Sequence, residues 1–139
     1  MRLLVAAVLT LLTMFAAPAR AEIVASPKTL IVSDITVGKG ATAVAGSTVT
    51  MHYTGWLYAP KAPKLRGHKF DSSVGAAPYT FKVGAGSVIK GWDEGIKGMK
   101  VGGKRQLIVP ASMGFGKDGL GPVPSTANLL FEIELLDVK

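Results

Sequence analysis

Hydrophobic and polar residues alternate most clearly between Ser47 and Trp56. There Val49, Met51 and Tyr53 fall on one face, and Thr48, Thr50 and His52 on the other. A period of two marks a strand with one buried face. The same signal, weighted by β-branched residues, predicts strands over Leu30 to Val37, Tyr79 to Val83, Arg105 to Val109 and Leu129 to Val138. In the last of these Leu129, Phe131, Ile133 and Leu135 share a side. Turn signals bound them, of which Gly38-Lys39-Gly40 is the plainest. Helical spacing occurs once, in the stripe Ile89, Trp92, Ile96 and Met99. Ser87 is placed to cap that helix, Asp93 and Glu94 sit early and Lys97 and Lys100 late, as the dipole favours, and Gly98 supplies a stop. Gly91 and Gly95 inside it cost ~1 kcal/mol each relative to alanine, so the helix needs a sheet to pack on. Strands in runs rather than in alternation with helices predict an α+β domain, with five or so strands in a mostly antiparallel sheet wrapping one short helix.

The start of the chain follows neither period. Arg2, an uncharged apolar run from Leu3 to Ala17, Pro18 and the small-x-small exit Ala19, Arg20, Ala21 read as a cleavable signal peptide over residues 1–21. The run is shorter than the roughly 20 apolar residues that cross a bilayer. An exported product, periplasmic or secreted, without stable membrane insertion is therefore expected. Residues 22–28 read as a flexible lead-in, and residues 29–139 as one domain.

Composition narrows the chemistry. The chain of 139 residues has no cysteine, which excludes a disulfide framework, a thiol nucleophile and zinc-finger spacing. Its two histidines, His52 and His68, have no carboxylate cluster between them, so no metal is expected, and no cofactor motif is found. The formal charge is +7, to which Arg2 and Arg20 of the leader contribute. Leu57 to His68 holds Pro60, Pro63 and Gly67 without a period and reads as a loop. Its cations Lys61, Lys64 and Arg66, with Lys69 nearby, form either a solvated hairpin extension or a surface for an acidic partner. Nucleic acid is not expected, because only Trp56 and Tyr58 could offer stacking faces among these cations.

Catalytic motifs are absent or are decoys. Gly98 to Lys104 has the spacing of a phosphate-binding loop, but Arg105 stands where Ser or Thr must hold magnesium, and the expected order is helix then strand, the reverse of that motif. No Gly-x-Ser-x-Gly segment or Ser-His-acid constellation is recognisable. Asp93 and Glu94 are explained by the helix dipole better than by acid/base work. His52 reads as an outer-face residue rather than a catalytic base. Asp71 stays open between a turn carboxylate and a polar group at the mouth of an apolar site. By periodicity alone, the aromatic residues at strand and helix positions are core.

The order of motifs carries more than any one of them. Val49-Thr-Met-His-Tyr53-Thr-Gly55-Trp-Leu is followed by Lys69-Phe70-Asp71-Ser72-Ser73 and Pro78-Tyr79-Thr-Phe81-Lys-Val-Gly84. Then come Val88-Ile89-Lys-Gly91-Trp92-Asp-Glu94-Gly95, Met99-Lys-Val-Gly102-Gly-Lys-Arg105 and Ala127-Asn-Leu129-Leu-Phe131-Glu-Ile-Glu134. From about Thr29 to Lys139 this resembles the FKBP-type peptidyl-prolyl cis/trans isomerases, the tacrolimus-binding immunophilins. The resemblance implies a curved antiparallel sheet around one short helix, an activity that turns X-Pro bonds in folding proteins, and no cofactor. It implies catalytic positions at Tyr53, Asp71, Trp92 and Phe131, and a proline pocket completed by Phe70, Tyr79, Phe81, Val88, Ile89, Phe115 and Val123. Trp92 would be the floor, and the Ile89 N–H would hold a substrate carbonyl. Implied partners are proline-containing polypeptides and macrolides of the tacrolimus/rapamycin type. Phe115 departs from the family's usual tyrosine and so lacks its hydroxyl. A non-enzymatic chaperone that holds proline-containing segments is the rival reading, and a basic adhesion protein a more distant one.

Overall fold

The computed structural model describes residues 26–139; the expected signal peptide and the first part of the lead-in lie outside the described residues. Six strands, β1 (Ile31–Thr36), β2 (Thr48–Tyr58), β3 (Arg66–Ser72), β4 (Tyr79–Lys82), β5 (Lys104–Val109) and β6 (Leu129–Val138), surround one helix, α1 (Lys90–Gly95). They form a single sheet in the order β1-β5-β6-β2-β3, with β4 also on β2, and every pairing is antiparallel. The α+β architecture expected from the pattern is thus the one observed. The long strand β2 shares one edge between two partners: Thr48 to Met51 pair with β4, and Thr54 to Tyr58 with β3. The chain between β3 and β4 leaves β2 near Tyr53, and that gap positions the site described below.

Burial follows the alternation. Val49 and Met51 of β2, Leu107 and Val109 of β5, and Leu129, Ile133 and Leu135 of β6 are fully buried on the concave face, against Trp92 and Ile96 of the helical segment. Helix and sheet approach closely because α1 presents glycines to β5. A Cβ on Gly95 would lie 2.6 Å from Leu107 Cδ1, and one on Gly91 would lie 2.6 Å from Val109 Cγ1. The missing side chains that weaken the helix locally are thus what lets it contact the sheet that holds it in place. Arg105, 9% exposed, ties the same parts together. Its Nη1 donates to the carbonyls of Gly95 and Lys97, both at 2.9 Å, and its Nε donates to Asp34 Oδ1 of β1 at 2.7 Å.

Three expectations are corrected. The segment read as a loop from Leu57 to His68 is the end of β2, a turn with one 3-10 turn (Pro63–Leu65), and the start of β3. Register shifts after Gly55 and Trp56 interrupt the alternation there, which hid the strand from a period-based reading. The basic cluster rides on this hairpin, where Arg66 stacks 4.0 Å over Trp56 and pairs with Glu132 at 2.6 Å. Second, Ser87 does not cap α1: Ile89 holds the N-cap position, with no side-chain cap bond. Third, Asp93 is buried, and its carboxylate accepts the amides of Gly84 at 3.0 Å and Gly86 at 2.9 Å. It anchors the turn after β4, a stronger commitment than dipole compensation. The Gly98 to Lys104 segment joins α1 to β5, with the Gly102 amide donating to the Leu135 carbonyl, so helix precedes and strand follows.

Candidate functional site

At the gap between β3 and β4 the buried face of the sheet opens into a cavity of about 300 Å³. Each surrounding element contributes a wall. Strand β2 supplies Tyr53, β3 supplies Phe70 and Asp71, β4 supplies Tyr79 and β6 supplies Phe131. The turn into α1 adds Ser87, Val88 and Ile89, α1 itself adds Trp92, and the loop after β5 adds Phe115. Trp92, 8% exposed, is the centre of the aromatic group, with ring centroids 4.8 Å from Tyr53, 5.2 Å from Phe131 and 5.8 Å from Tyr79. Phe70 meets Phe131 edge-on at 5.7 Å and 87°. Edge contacts of this kind add ~0.5–1.5 kcal/mol each beyond area burial. Gly55 makes the Phe70–Phe131 contact possible, since a Cβ there would lie 2.6 Å from Phe70 and 2.8 Å from Phe131. The Trp92 indole N–H is buried without an acceptor among the described residues. Such a group costs ~1–3 kcal/mol, which the surrounding packing outweighs.

Polarity is confined to the rim. Tyr53 O–H donates to Asp71 Oδ2 at 2.7 Å, and the Ser72 amide donates to Asp71 Oδ1 at 2.8 Å. Both carboxylate oxygens are therefore engaged, and Asp71 stands in strand β3 at the cavity rim rather than in a turn. Burial, then the hydrogen bond to Asp71, then electrostatic interaction with Asp71 and Tyr79 push the Tyr53 phenol up to about 12. It stays a neutral donor throughout the physiological range. Among the described residues no three His, Cys, Asp or Glu side chains gather as a metal would require. No lining serine or tyrosine is paired with a histidine, so the arrangement is built to enclose an apolar ring rather than to attack it.

Nine of the eleven residues that the resemblance assigned to the pocket line this cavity: Tyr53, Phe70, Asp71, Tyr79, Val88, Ile89, Trp92, Phe115 and Phe131. Two do not. Phe81 is 6% exposed and stands beside Trp92 with centroids 6.1 Å apart, so it supports the floor without reaching the surface of the cup. Val123 is 3% exposed and lines a neighbouring cavity of about 260 Å³, which shares Phe70, Asp71 and Phe115 with the main one. Ser87 lines the cup and was missed, because its place before the helical stripe suggested a cap. Nothing in the one-dimensional pattern distinguishes those two uses.

Comparison with known proteins bears on the family and the fold. A family model described as FKBP-type peptidyl-prolyl cis-trans isomerase matches residues 39–136. An FK506-binding protein of Neisseria meningitidis serogroup B is 51% identical over 111 residues, 78% of this chain and 95% of that one. The peptidyl-prolyl cis-trans isomerase FKBP15-3 of Arabidopsis thaliana is 46% identical over 112 residues, 79% of this chain and 74% of that one. Among solved structures, AtFKBP13 superposes with a TM-score of 0.70 at 38% identity, covering 82% of this chain and 96% of that one. FkpA from Escherichia coli gives 0.67 at 37% identity, and the match covers 79% of this chain and 48% of that longer one. With the matched model spanning most of the chain, the protein belongs to the FKBP-type peptidyl-prolyl cis-trans isomerases and has their isomerase activity.

Proposed function

We propose that the Tyr53–Trp92–Phe131 cup is the isomerisation site, that it works by desolvation and shape alone, and that the protein does so on proline-containing segments of other exported proteins. The barrier to turning an X-Pro bond, about 18–20 kcal/mol, is mostly lost amide resonance. A planar amide has more charge separation than a twisted one. A cavity that strips water from the carbonyl therefore disfavours the ground state more than the transition state. The observation that carries this reading is the lining: six aromatic rings, Val88 and Ile89 enclose the cup, and its one carboxylate is already hydrogen-bonded. The Ile89 amide, at the lip where the chain enters α1, is the group we assign to hold the substrate carbonyl.

The same cup suits a macrolide that carries a proline-like ring, as the name of the Neisseria relative indicates for that protein. Phe115 offers the wall of a tyrosine without its hydroxyl. Phe115→Tyr is expected to tighten tacrolimus binding about fivefold, the value of one neutral hydrogen bond, with catalysis of a short X-Pro peptide little changed. Titration calorimetry checks it, and equal affinity for the two proteins would contradict the assignment of Phe115 to the ligand wall. Competition by tacrolimus for the peptide isomerase activity tests the site itself: inhibition is expected, and tight binding without inhibition would place the activity elsewhere.

Export rests on the leader pattern of residues 1–21. Among the described residues no helix is long and apolar enough to cross a membrane. Cleavage after Ala21 would leave Glu22 as the first residue. The mass of the protein recovered outside the cytoplasm is expected to show that start, whereas a mature product that keeps Met1 would contradict it.

A further inference from the structure

The sheet carries a second cavity, on the face away from the cup. Side chains alternate across β5 and β6, so that Arg105, Leu107, Phe131 and Ile133 are buried while Lys104, Gln106, Glu132 and Glu134 point the other way. Lys104, Gln106 and Glu132 line a space of about 580 Å³ there, together with Ile35 of β1 and Lys64, Leu65 and Arg66 of the β2–β3 hairpin. Strands β1 and β3 stand at opposite ends of the strand order, so the space is a trough across the width of the sheet. Its hairpin wall is a defined structure. Lys64 and Leu65 both hold left-handed backbone, at φ 55° and 63°, which such side chains rarely adopt. The Ala59 amide donates to the Leu65 carbonyl at 2.9 Å, and the Leu65 amide to the Ala62 carbonyl at 3.0 Å, which holds the tip in that form.

The basic cluster of the hairpin divides at this point. Lys64 and Arg66 join Lys104, remote in sequence, whereas Lys61 and Lys69 do not line the trough. Three cations thus share one carboxylate, Glu132, which Arg66 Nη2 already holds at 2.6 Å. Among the described residues Lys64 and Lys104 have no salt-bridge partner, and the buried Nε of Arg66 has no acceptor. Glu134, opposite Lys104 across the strands, lines the adjoining cavity rather than this one. The apolar part of the lining is Ile35, 54% exposed, and the half-buried Leu65.

We infer that this trough is a docking site for an acidic, extended stretch of a client polypeptide, one with an apolar residue between its carboxylates. Carboxylates pair with Lys64 and Lys104, whose charge the protein itself leaves uncompensated, and the apolar side chain covers Ile35 and Leu65. A recess that takes several side chains suits a peptide; a planar anionic bilayer would need these cations on a protruding face. A client held here keeps its other segments at raised local concentration for the cup on the opposite face. The binding itself does not depend on how the cup works.

The test is fluorescence anisotropy with a labelled, proline-free peptide, Glu-Leu-Glu-Glu-Leu-Glu, and the same peptide with glutamine for every glutamate. Saturable binding of the acidic peptide that weakens with added salt is expected, and none of the glutamine peptide. Lys64→Glu combined with Lys104→Gln is expected to weaken binding about tenfold, the sum of two lost surface pairs and one new repulsion. The control is Lys82→Glu combined with Lys139→Gln, the same charge change beside Thr48 at the far end of β2 from the hairpin. It is expected to stay within about twofold of the parent, and equal weakening in the two double variants overturns the proposal, since net charge alone would then explain the binding. Displacement of the peptide by tacrolimus overturns it too, by placing the peptide in the cup. So does sedimentation with phosphatidylglycerol vesicles that needs Lys64 and Lys104 while the acidic peptide fails to bind, which would make the face a lipid surface. Should the first double variant not fold, Lys64→Glu alone decides, because that side chain is exposed.

Discussion

Replacing Trp92 by leucine is expected to lower the catalysed rate of X-Pro exchange by at least about tenfold while the domain stays folded. Trp92 touches Tyr53, Tyr79, Phe81 and Phe131 and forms the floor on which a proline ring would rest. Leucine keeps the site apolar but is too small to meet all four rings, so water enters the cup and the carbonyl of the bound amide keeps its solvation. Each ~1.4 kcal/mol of lost differential stabilisation is a tenfold loss of rate. Stability falls less than burial of an indole alone would suggest, because the unpaired indole N–H disappears with the side chain. The measurement is exchange NMR beside a thermal melt of the same preparation. A folded variant within twofold of the parent rate would remove Trp92 from the mechanism.

The second large effect concerns the frame. Arg105→Leu is expected to destabilise the domain by about 3 kcal/mol and to lower the melting temperature by roughly 10 °C or more. Leucine leaves the carbonyls of Gly95 and Lys97 without their donor at the end of a six-residue helix, and Asp34 without its cation. Peptide activity, measured below the melting transition, is expected to persist, because no atom of Arg105 lines the cup. Unchanged stability would show that α1 is held by the packing of Trp92 and Ile96 alone.

The strands that alternate cleanly are legible from the amino-acid order alone. Val49, Met51 and Tyr53 turn inward, and β6 keeps the bounds Leu129–Val138 that its pattern predicts. Strand β3 is not legible in this way, since the register shifts opposite Gly55 and Trp56 break the period on which such a reading depends. The site divides similarly. Large aromatic residues at strand positions are visible, but periodicity assigns them all to the core, and only the order of motifs separates the wall of the cup from its support. Phe81 shows the limit of that separation: it matches the motif, yet lies one layer too deep. Asp93 shows another, because a carboxylate at the start of a helix has a sufficient local explanation, while its bonds to Gly84 and Gly86 are visible only once the preceding turn is folded onto it. The hydrogen bond from the Tyr53 amide to Ser73 Oγ joins residues 20 apart and has no local signature at all.

In the proposed mechanism an enclosed apolar surface eases rotation about the imide without any proton moving. A proton in flight in the transition state would slow the reaction in heavy water, as general acid–base catalysis does. The direct measurement is the catalysed exchange rate of one X-Pro peptide in H₂O and in D₂O at matched temperature and equivalent pH. Strong acceleration in both solvents with a ratio of about 1 is expected; a rate that falls by half or more in D₂O would contradict a mechanism without proton transfer.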